Sequence, residues 1–131
     1  MFEKFVFSAK QIEKYFSSAA KDFSTALKGE ADVRFVFCYN CLLKLAIVVC
    51  AKNNLRVKAR RGHHIVLIEK MAGFLEDKEI EIIAQEMRAK RNRDLYDGGI
   101  LISKKDAEMY LEFVSNLINR VEKYLGFNKL F

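Results

Sequence analysis

The sequence predicts an all-α fold, and three observations support that prediction. The 131-residue chain has no proline and only six glycines, so few positions would interrupt a helix. Apolar residues recur at helical intervals along most of the chain. Capping and turn residues fall between those stretches, which leaves short connections. We expect a single domain over residues 1–131, an up-and-down bundle of four main helices in which the third long helix is broken.

The charge balance favours an acidic partner. The net charge is +6 and the isoelectric point is about 9.3, a balance typical of proteins that bind RNA, DNA or nucleotides. The chain begins with charged residues where a secretion signal needs an apolar centre, so no export is expected. We therefore predict a cytoplasmic protein.

The first helix has a defined beginning and end. Ser8, with Gln11 three residues later, is expected to form a capping box, and Gly29 to end the helix. The apolar stripe between them is Ile12, Tyr15, Phe16, Ala19, Phe23, Ala26 and Leu27. This spacing predicts an amphipathic helix that packs on the core.

The second helix, from about Ala31 to Leu55, is apolar on almost every side. One interpretation is a membrane span, but Asn40 and Lys44 divide the run into pieces shorter than the roughly 20 residues that a bilayer requires. We therefore expect no membrane segment. Such a helix lies at the centre of a bundle or is partly covered by a second subunit, and we predict both, with a homodimer.

Three cysteines lie inside this apolar run, at Cys38, Cys41 and Cys50. The Cys38-x-x-Cys41 spacing suggests metal or redox chemistry, but the sequence has no second pair and no strand–turn context. One turn of a buried helix explains the spacing better. We expect reduced core thiols, no metal site and no cofactor.

A basic segment follows, with Arg60, Arg61, His63 and His64 around a break at Gly62. Helical periodicity then resumes through Ile65, Ile68, Ala72 and Leu75. Adjacent histidines on a helix project about 100° apart, which disfavours a shared metal ion. We expect a capping or packing role for one histidine and solvent for the other. Phosphate binding or acid–base chemistry is the alternative.

The next helix is expected to begin after Asp77, and its inward stripe is Ile80, Ile83, Ala84 and Met87. Four residues further along the same stripe lies Arg91. A buried, unpaired guanidinium is costly, so Arg91 either emerges into solvent at the helix end or faces a cleft that receives an anion or a partner chain. Asp97, Gly98 and Gly99 are expected to end this helix.

Three more basic residues, Arg88, Lys90 and Arg93, lie on other faces of this helix. Glu86 precedes Lys90 by four residues, which is a favourable surface pair. The last helix is expected to begin at Ser103 and to end at Gly126, before a tail over residues 127–131. Its stripe is Ala107, Tyr110, Leu111, Val114, Leu117, Ile118, Val121 and Leu125.

The stretch Arg91-Asn92-x-x-x-Tyr96-Asp97-Gly98, followed by a loop and a final amphipathic helix, resembles the HEPN domain family. The likeness covers nearly the whole chain in helix order. Its specific part is Arg91, Asn92 and the position of Tyr96, where the chain is similar to the subset with tyrosine in place of histidine. The Arg61-Gly62-His63-His64 segment is also similar to that of some members.

The resemblance implies a bundle that dimerises, with the motif helices of two subunits lining a shared basic cleft. Many members are metal-independent ribonucleases, and many are toxins encoded beside a small nucleotidyltransferase. By this resemblance the candidate catalytic residues are Arg91, Asn92 and Tyr96. The candidate phosphate- or nucleic-acid-binding residues are Arg88, Lys90, Arg93, Arg60, Arg61, His63 and His64.

Tyr96 bears on activity, because cleavage of RNA by its 2′-hydroxyl needs a proton acceptor near neutral pH. Imidazole, with a pKa of about 6.5, supplies one, whereas a phenol with a pKa of about 10 does not. Binding of phosphate by Arg91 is therefore better supported than turnover.

Three functions stay open at this point. The first is a dimeric HEPN-like domain that binds RNA or nucleotide phosphate and acts with a nucleotidyltransferase-type partner in a toxin–antitoxin or defence pair. The second is an active metal-independent endoribonuclease that uses Tyr96 or a histidine from elsewhere. The third is a non-catalytic interaction module in which Arg91 pairs with a carboxylate across the dimer.

Overall fold

The computed structural model describes residues 1–96 and 102–126, with side chains described for residues 1–93 and 102–126. This part of the chain holds five helices and one small sheet. The helices are α1 (Ala9–Lys28), α2 (Ala31–Lys52), α3 (His63–Phe74), α4 (Lys78–Tyr96) and α5 (Lys104–Leu125). The strands are β1 (Phe2–Lys4) and β2 (Leu55–Val57). The predicted helical class is confirmed.

The start of α1 is the predicted capping box. The side-chain oxygen of Ser8 accepts a hydrogen bond from the backbone N–H of Gln11 at 3.1 Å. The Ser8 N–H in turn donates to Oε1 of Gln11 at 2.9 Å. At the other end, the N–H of Gly29 donates to the carbonyl oxygen of Ala26. Local sequence therefore defines both ends of this helix.

The caps of the later helices also follow the sequence. Asp77 accepts from the N–H of Glu79 at 3.0 Å at the start of α4. Ser103 accepts from the N–H of Asp106 at 3.0 Å at the start of α5. Gly126 ends α5 in the left-handed conformation, with φ of 72°. The predicted helix end at residues 97–99 and the tail at residues 127–131 lie outside the described residues.

The centre of the fold is α2, which contacts α1, α3, α4 and α5. Its buried residues are Phe35, Cys38, Tyr39, Cys41, Leu42, Leu45, Ala46, Val48, Val49, Cys50 and Ala51. Burial raises the pKa of the Cys38 and Cys41 thiols to about 12 and that of Cys50 to about 11. The three cysteines are core residues, as predicted.

By length and composition alone α2 could cross a membrane, and Asn40 and Lys44 do not prevent this. Within the fold it is a core helix, with 56% of its most apolar window buried. Lys44 pairs with Asp22 of α1 at 2.7 Å and donates to Ser18 at 2.8 Å. Because neighbouring helices of the same chain cover α2, its apolar faces do not require a second subunit.

The sheet was not predicted, and it shortens the second helix. α2 ends at Lys52, and Leu55 belongs to β2 after a turn in which Asn54 takes a left-handed φ of 58°. β1 and β2 are antiparallel, with Phe2 opposite Val57. Strands of three residues are too short to show a period-two pattern, so the sequence gives no signal for them.

The predicted third helix is two separate helices that pack against each other, α3 and α4. The turn between them contains Glu76 with a left-handed φ of 53°. The N–H of Asp77 donates to the carbonyl oxygen of Ala72 and closes that turn. As a result, the start of α3 lies beside the last described turns of α4.

Candidate functional site

The two basic segments singled out in the sequence meet in one groove of about 450 Å³. Residues from the start of α3 and from the last turns of α4 line it. They are Arg60, Arg61, Gly62, His63, His64, Ile65, Arg88, Arg91 and Asn92. None of these described lining residues is acidic. We call this feature the basic groove.

A groove of about 520 Å³ between β1 and α3 is larger but has no comparable charge. It is lined by Phe2, Val66, Glu69, Lys70, Gly73 and Phe74, so its one lysine is offset by one glutamate. The basic groove therefore offers the stronger attraction for an anion.

Arg91 reaches the basic groove because it continues the buried stripe of α4. Ala84 and Met87 are fully buried on that stripe, and Arg91 lies one turn beyond Met87. The Arg91 guanidinium carbon lies 5.5 Å from the centre of the Tyr39 ring, a cation–π contact. Within the described residues, no carboxylate lies within ion-pair distance of Arg91. Arg91 therefore presents a cation to the groove that it lines.

Tyr39 of α2 lies in the core beside the groove, where it contacts both His64 and Arg91. Its hydroxyl oxygen lies 3.1 Å from Nδ1 of His64, and the two ring centres are 5.9 Å apart. The Tyr39 side chain is fully buried. Burial raises the pKa of the Tyr39 phenol to about 12, against the opposing effect of Arg91 and Arg88. Tyr39 is therefore a neutral hydroxyl near neutral pH.

Both histidines are half-buried and both have protein partners, which differs from the expectation that one would face solvent. The ring Nδ1 of His63 lies 2.8 Å from the carbonyl oxygen of Arg60. The two imidazole centres are 4.5 Å apart in an edge-to-face arrangement. Gly62 precedes them in the left-handed conformation, with φ of 79°. That turn places both rings along the same groove.

The environment of His64 favours the neutral form of its imidazole. Burial is the largest cause, and the nearby His63, Arg91 and Arg88 add to it, so that the pKa of His64 is lowered from the ordinary value of 6.5. A neutral imidazole has one N–H and one acceptor nitrogen. Its hydrogen-bond partner determines which of the two ring nitrogens carries the hydrogen.

Arg88 is held in place by a chain of hydrogen bonds from α4 to α3. Its Nε donates to Oε1 of Gln85 at 2.8 Å. The Gln85 amide nitrogen then donates to the carbonyl oxygen of Ile65 at 3.1 Å. Asn92 is half-buried and lines the same groove. The groove walls are therefore cross-linked before any ligand binds.

Other candidate residues lie elsewhere. Lys90 contacts Glu86 at 3.4 Å and Asp106 of α5 at 3.7 Å, and its nitrogen lies 4.9 Å from the centre of the Tyr110 ring. The predicted Glu86–Lys90 pair is confirmed, but Lys90 faces α5 rather than the groove. Arg93 is exposed and is not among the residues that line the groove. The side chain of Tyr96 lies outside the described residues.

Tyr39 was not identified from the sequence as a site residue. A signal for it existed, since a phenol inside an otherwise apolar helix must find a hydrogen-bond partner. Sequence spacing could not identify that partner, because His64 lies 25 residues away along the chain. Within the described residues, no group of three or more His, Cys, Asp or Glu side chains is placed to hold a metal ion.

Comparison of the chain with protein-family models, curated proteins and solved structures finds no match. The likeness to the HEPN family therefore stays a prediction from Arg91, Asn92 and Tyr96.

Proposed function

We propose that the protein is an HEPN-like domain that binds RNA through its phosphates in the basic groove. The observation that supports this most is the convergence of four arginines, Arg60, Arg61, Arg88 and Arg91, on a groove whose described lining contains no carboxylate. A guanidinium presents paired N–H donors that match the oxygens of a phosphate. Free nucleotides share this phosphate chemistry and are the alternative ligand.

The test is binding of a fluorescein-labelled single-stranded RNA oligonucleotide, measured by fluorescence anisotropy. Arg91→Ala is expected to weaken binding about tenfold or more, since a hydrogen bond to a charged group is lost. Lys21→Ala is the matched control, because it removes one positive charge from an exposed position of α1 outside the groove. Equal affinity of Arg91→Ala and wild type would refute the proposal. Displacement of the RNA by ATP at similar phosphate concentration would favour a free nucleotide.

The proposed assembly is a homodimer with α3 and α4 near the interface. Two exposed apolar residues support it. Ile65 lines the groove, and Ile82 lies one turn before Gln85, whose amide donates to the carbonyl oxygen of Ile65. Their side chains are 38% and 62% exposed, and a second copy would cover them. Sedimentation equilibrium should give twice the chain mass for wild type and the monomer mass for Ile82→Glu. A monomeric wild type would remove the dimer from the proposal.

The proposed setting is a cytoplasmic toxin–antitoxin or defence pair, with a nucleotidyltransferase-type protein as partner. Its support is the likeness of Arg91, Asn92 and Tyr96 to the motif of the HEPN family. Co-expression with the product of the adjacent gene should yield a stable complex and relieve any growth defect. An adjacent gene for an unrelated class of protein would count against this setting.

A further inference from the structure

We infer that His63 is the proton acceptor, and His64 a neutral hydrogen-bond donor, in cleavage of RNA within the basic groove. This inference rests on the proposed function, because the RNA must first bind there. The two imidazoles would then perform the proton transfer for which the phenol of Tyr96 is poorly suited. Three features support it: the partner of each ring, the contact between the rings and the arginines beside them.

The ring state of His63 follows from its contact with a backbone carbonyl. A carbonyl oxygen only accepts hydrogen bonds, so the Nδ1 that lies 2.8 Å from the Arg60 oxygen must carry a hydrogen. In the neutral ring, the other nitrogen, Nε2, then has a free lone pair. Because His63 lines the groove, Nε2 is the nitrogen left to take a proton from a bound ligand.

The ring state of His64 follows from the opposite kind of partner. Tyr39 is fully buried. Among the described residues, the hydrogen-bond partner of the Tyr39 hydroxyl is Nδ1 of His64. A buried hydroxyl keeps its proton in a hydrogen bond, so Tyr39 donates and Nδ1 accepts. Nε2 of His64 therefore carries the hydrogen. The lowered pKa of His64 agrees, since a charged ring would need a proton on Nδ1.

The two rings thus present one acceptor and one donor, 4.5 Å apart between their centres, in the same groove as Arg88 and Arg91. In the proposed step, the 2′-oxygen of a ribose bonds to the adjacent phosphorus and its proton moves to Nε2 of His63. The bond from phosphorus to the 5′-oxygen breaks, and that oxygen takes a proton from water. His63 returns its proton to the resulting hydroxide. The products are a 2′,3′-cyclic phosphate and a 5′-hydroxyl end, with no other reactant.

The neighbouring groups stabilise the negative charge that develops in this step. Arg91 and Arg88 can bind the non-bridging phosphate oxygens, and the Nε2–H of His64 supplies a further hydrogen bond. A neutral donor suits this position beside two guanidinium groups, because a third full charge there would be repelled. Tyr39 does not touch the substrate and is a positioning residue that fixes the ring state of His64.

The first test reads the ring states directly. The chain contains two histidines, so a two-bond ¹H–¹⁵N spectrum of the full chain near neutral pH has two simple patterns to resolve. The expected result is hydrogen on Nδ1 of His63 and on Nε2 of His64. Tyr39→Phe should raise the pKa of His64 while leaving the His63 pattern unchanged. Hydrogen on Nε2 of His63, or a charged His64, would overturn the inference.

The second test measures cleavage of single-stranded RNA in EDTA, with identification of the 2′,3′-cyclic phosphate by mass spectrometry. At saturating RNA, His63→Gln should lower the cleavage rate about 100-fold or more, as expected for loss of a general base. Tyr39→Phe should move the pH dependence of the rate, which a purely structural role would not do. RNA with a single 2′-deoxy position should resist cleavage there. Circular dichroism of each variant checks that it is folded.

The outcomes separate this inference from the proposed function. Wild-type protein that binds RNA but does not cleave it, or His63→Gln that cleaves like wild type, would overturn the inference and leave binding intact. Wild-type protein that does not bind RNA would overturn both. Cleavage that depends on His63, together with the two expected ring states, would establish it.

Discussion

Tyr39 and His64 connect the core of the fold to the basic groove. Tyr39 belongs to the fully buried part of α2, whereas His64 lines the surface groove, and their hydrogen-bonding atoms lie 3.1 Å apart. Arg91 also contacts Tyr39, with its guanidinium carbon over the ring. A single buried phenol therefore positions two groups of opposite polarity, an acceptor nitrogen and a cation.

At the residue scale, the lowered pKa of His64 predicts an acid-sensitive contribution to stability. Its folded-state pKa lies below the unfolded value near 6.5, because of burial and then of His63, Arg91 and Arg88. As pH falls, the unfolded chain takes up this proton first. The contribution of His64 to the free energy of unfolding is therefore complete above about pH 6.5, and it is lost as pH falls through the folded-state pKa.

The measurement is the thermal midpoint at about pH 7.5 and about pH 5.5, for wild type and for His64→Gln, which cannot titrate. On going from the higher to the lower pH, the thermal midpoint of wild type should fall further than that of His64→Gln. The other titratable groups are the same in both proteins, so the difference between the two losses reports on position 64. An equal loss in the two proteins would show that His64 is not coupled to folding in this way.

At the scale of elements, the helices could be predicted because the apolar spacing and capping residues of each helix lie within its own segment of the sequence. The stripe and capping residues of α1 lie within Ser8–Gly29, and the structure forms that helix with both caps. The inward stripe of α4 likewise predicts the position of Arg91 at its end. The two strands could not be predicted, because three residues carry too little pattern.

Gly62 immediately precedes α3 and has a left-handed φ of 79°. This turn directs the chain into the helix whose first residues line the groove. Gly62→Ala is expected to lower the free energy of unfolding by about 1 kcal/mol, because an L-residue is strained in that conformation. No described atom lies within 4 Å of the added methyl group, so strain alone causes the loss. Chemical denaturation measures it.

Gly73 provides the matched control, since it lies inside α3 and an added methyl group there also has open space. Gly73→Ala should raise the free energy of unfolding, by up to about 1 kcal/mol, because alanine favours the helix. Opposite signs for the two substitutions support the structural role of Gly62. A stabilising Gly62→Ala would contradict it.

At the scale of the whole molecule, α2 organises the fold and the basic groove forms where α3 and α4 meet above it. Two helices line the groove, α3 with His63 and His64 and α4 with Arg91. Tyr39 of α2 contacts His64 and Arg91 from the core. Both basic segments could be identified from the sequence, but their proximity in the fold could not be predicted from it. Their proximity depends on the packing of α3 on α4, which no local spacing records. The net charge of +6 is consistent with long-range attraction of RNA to this surface.

The most direct test of RNA binding in the basic groove is an amide ¹H–¹⁵N titration of the full-length protein with single-stranded RNA. We expect the largest shifts at residues 60–65 and 88–92, and we expect Arg91→Ala to weaken them. The same titration with Lys21→Ala should match wild type. Shifts confined to α1, to α5 or to the groove lined by Phe2 and Lys70 would show that RNA does not bind in the basic groove.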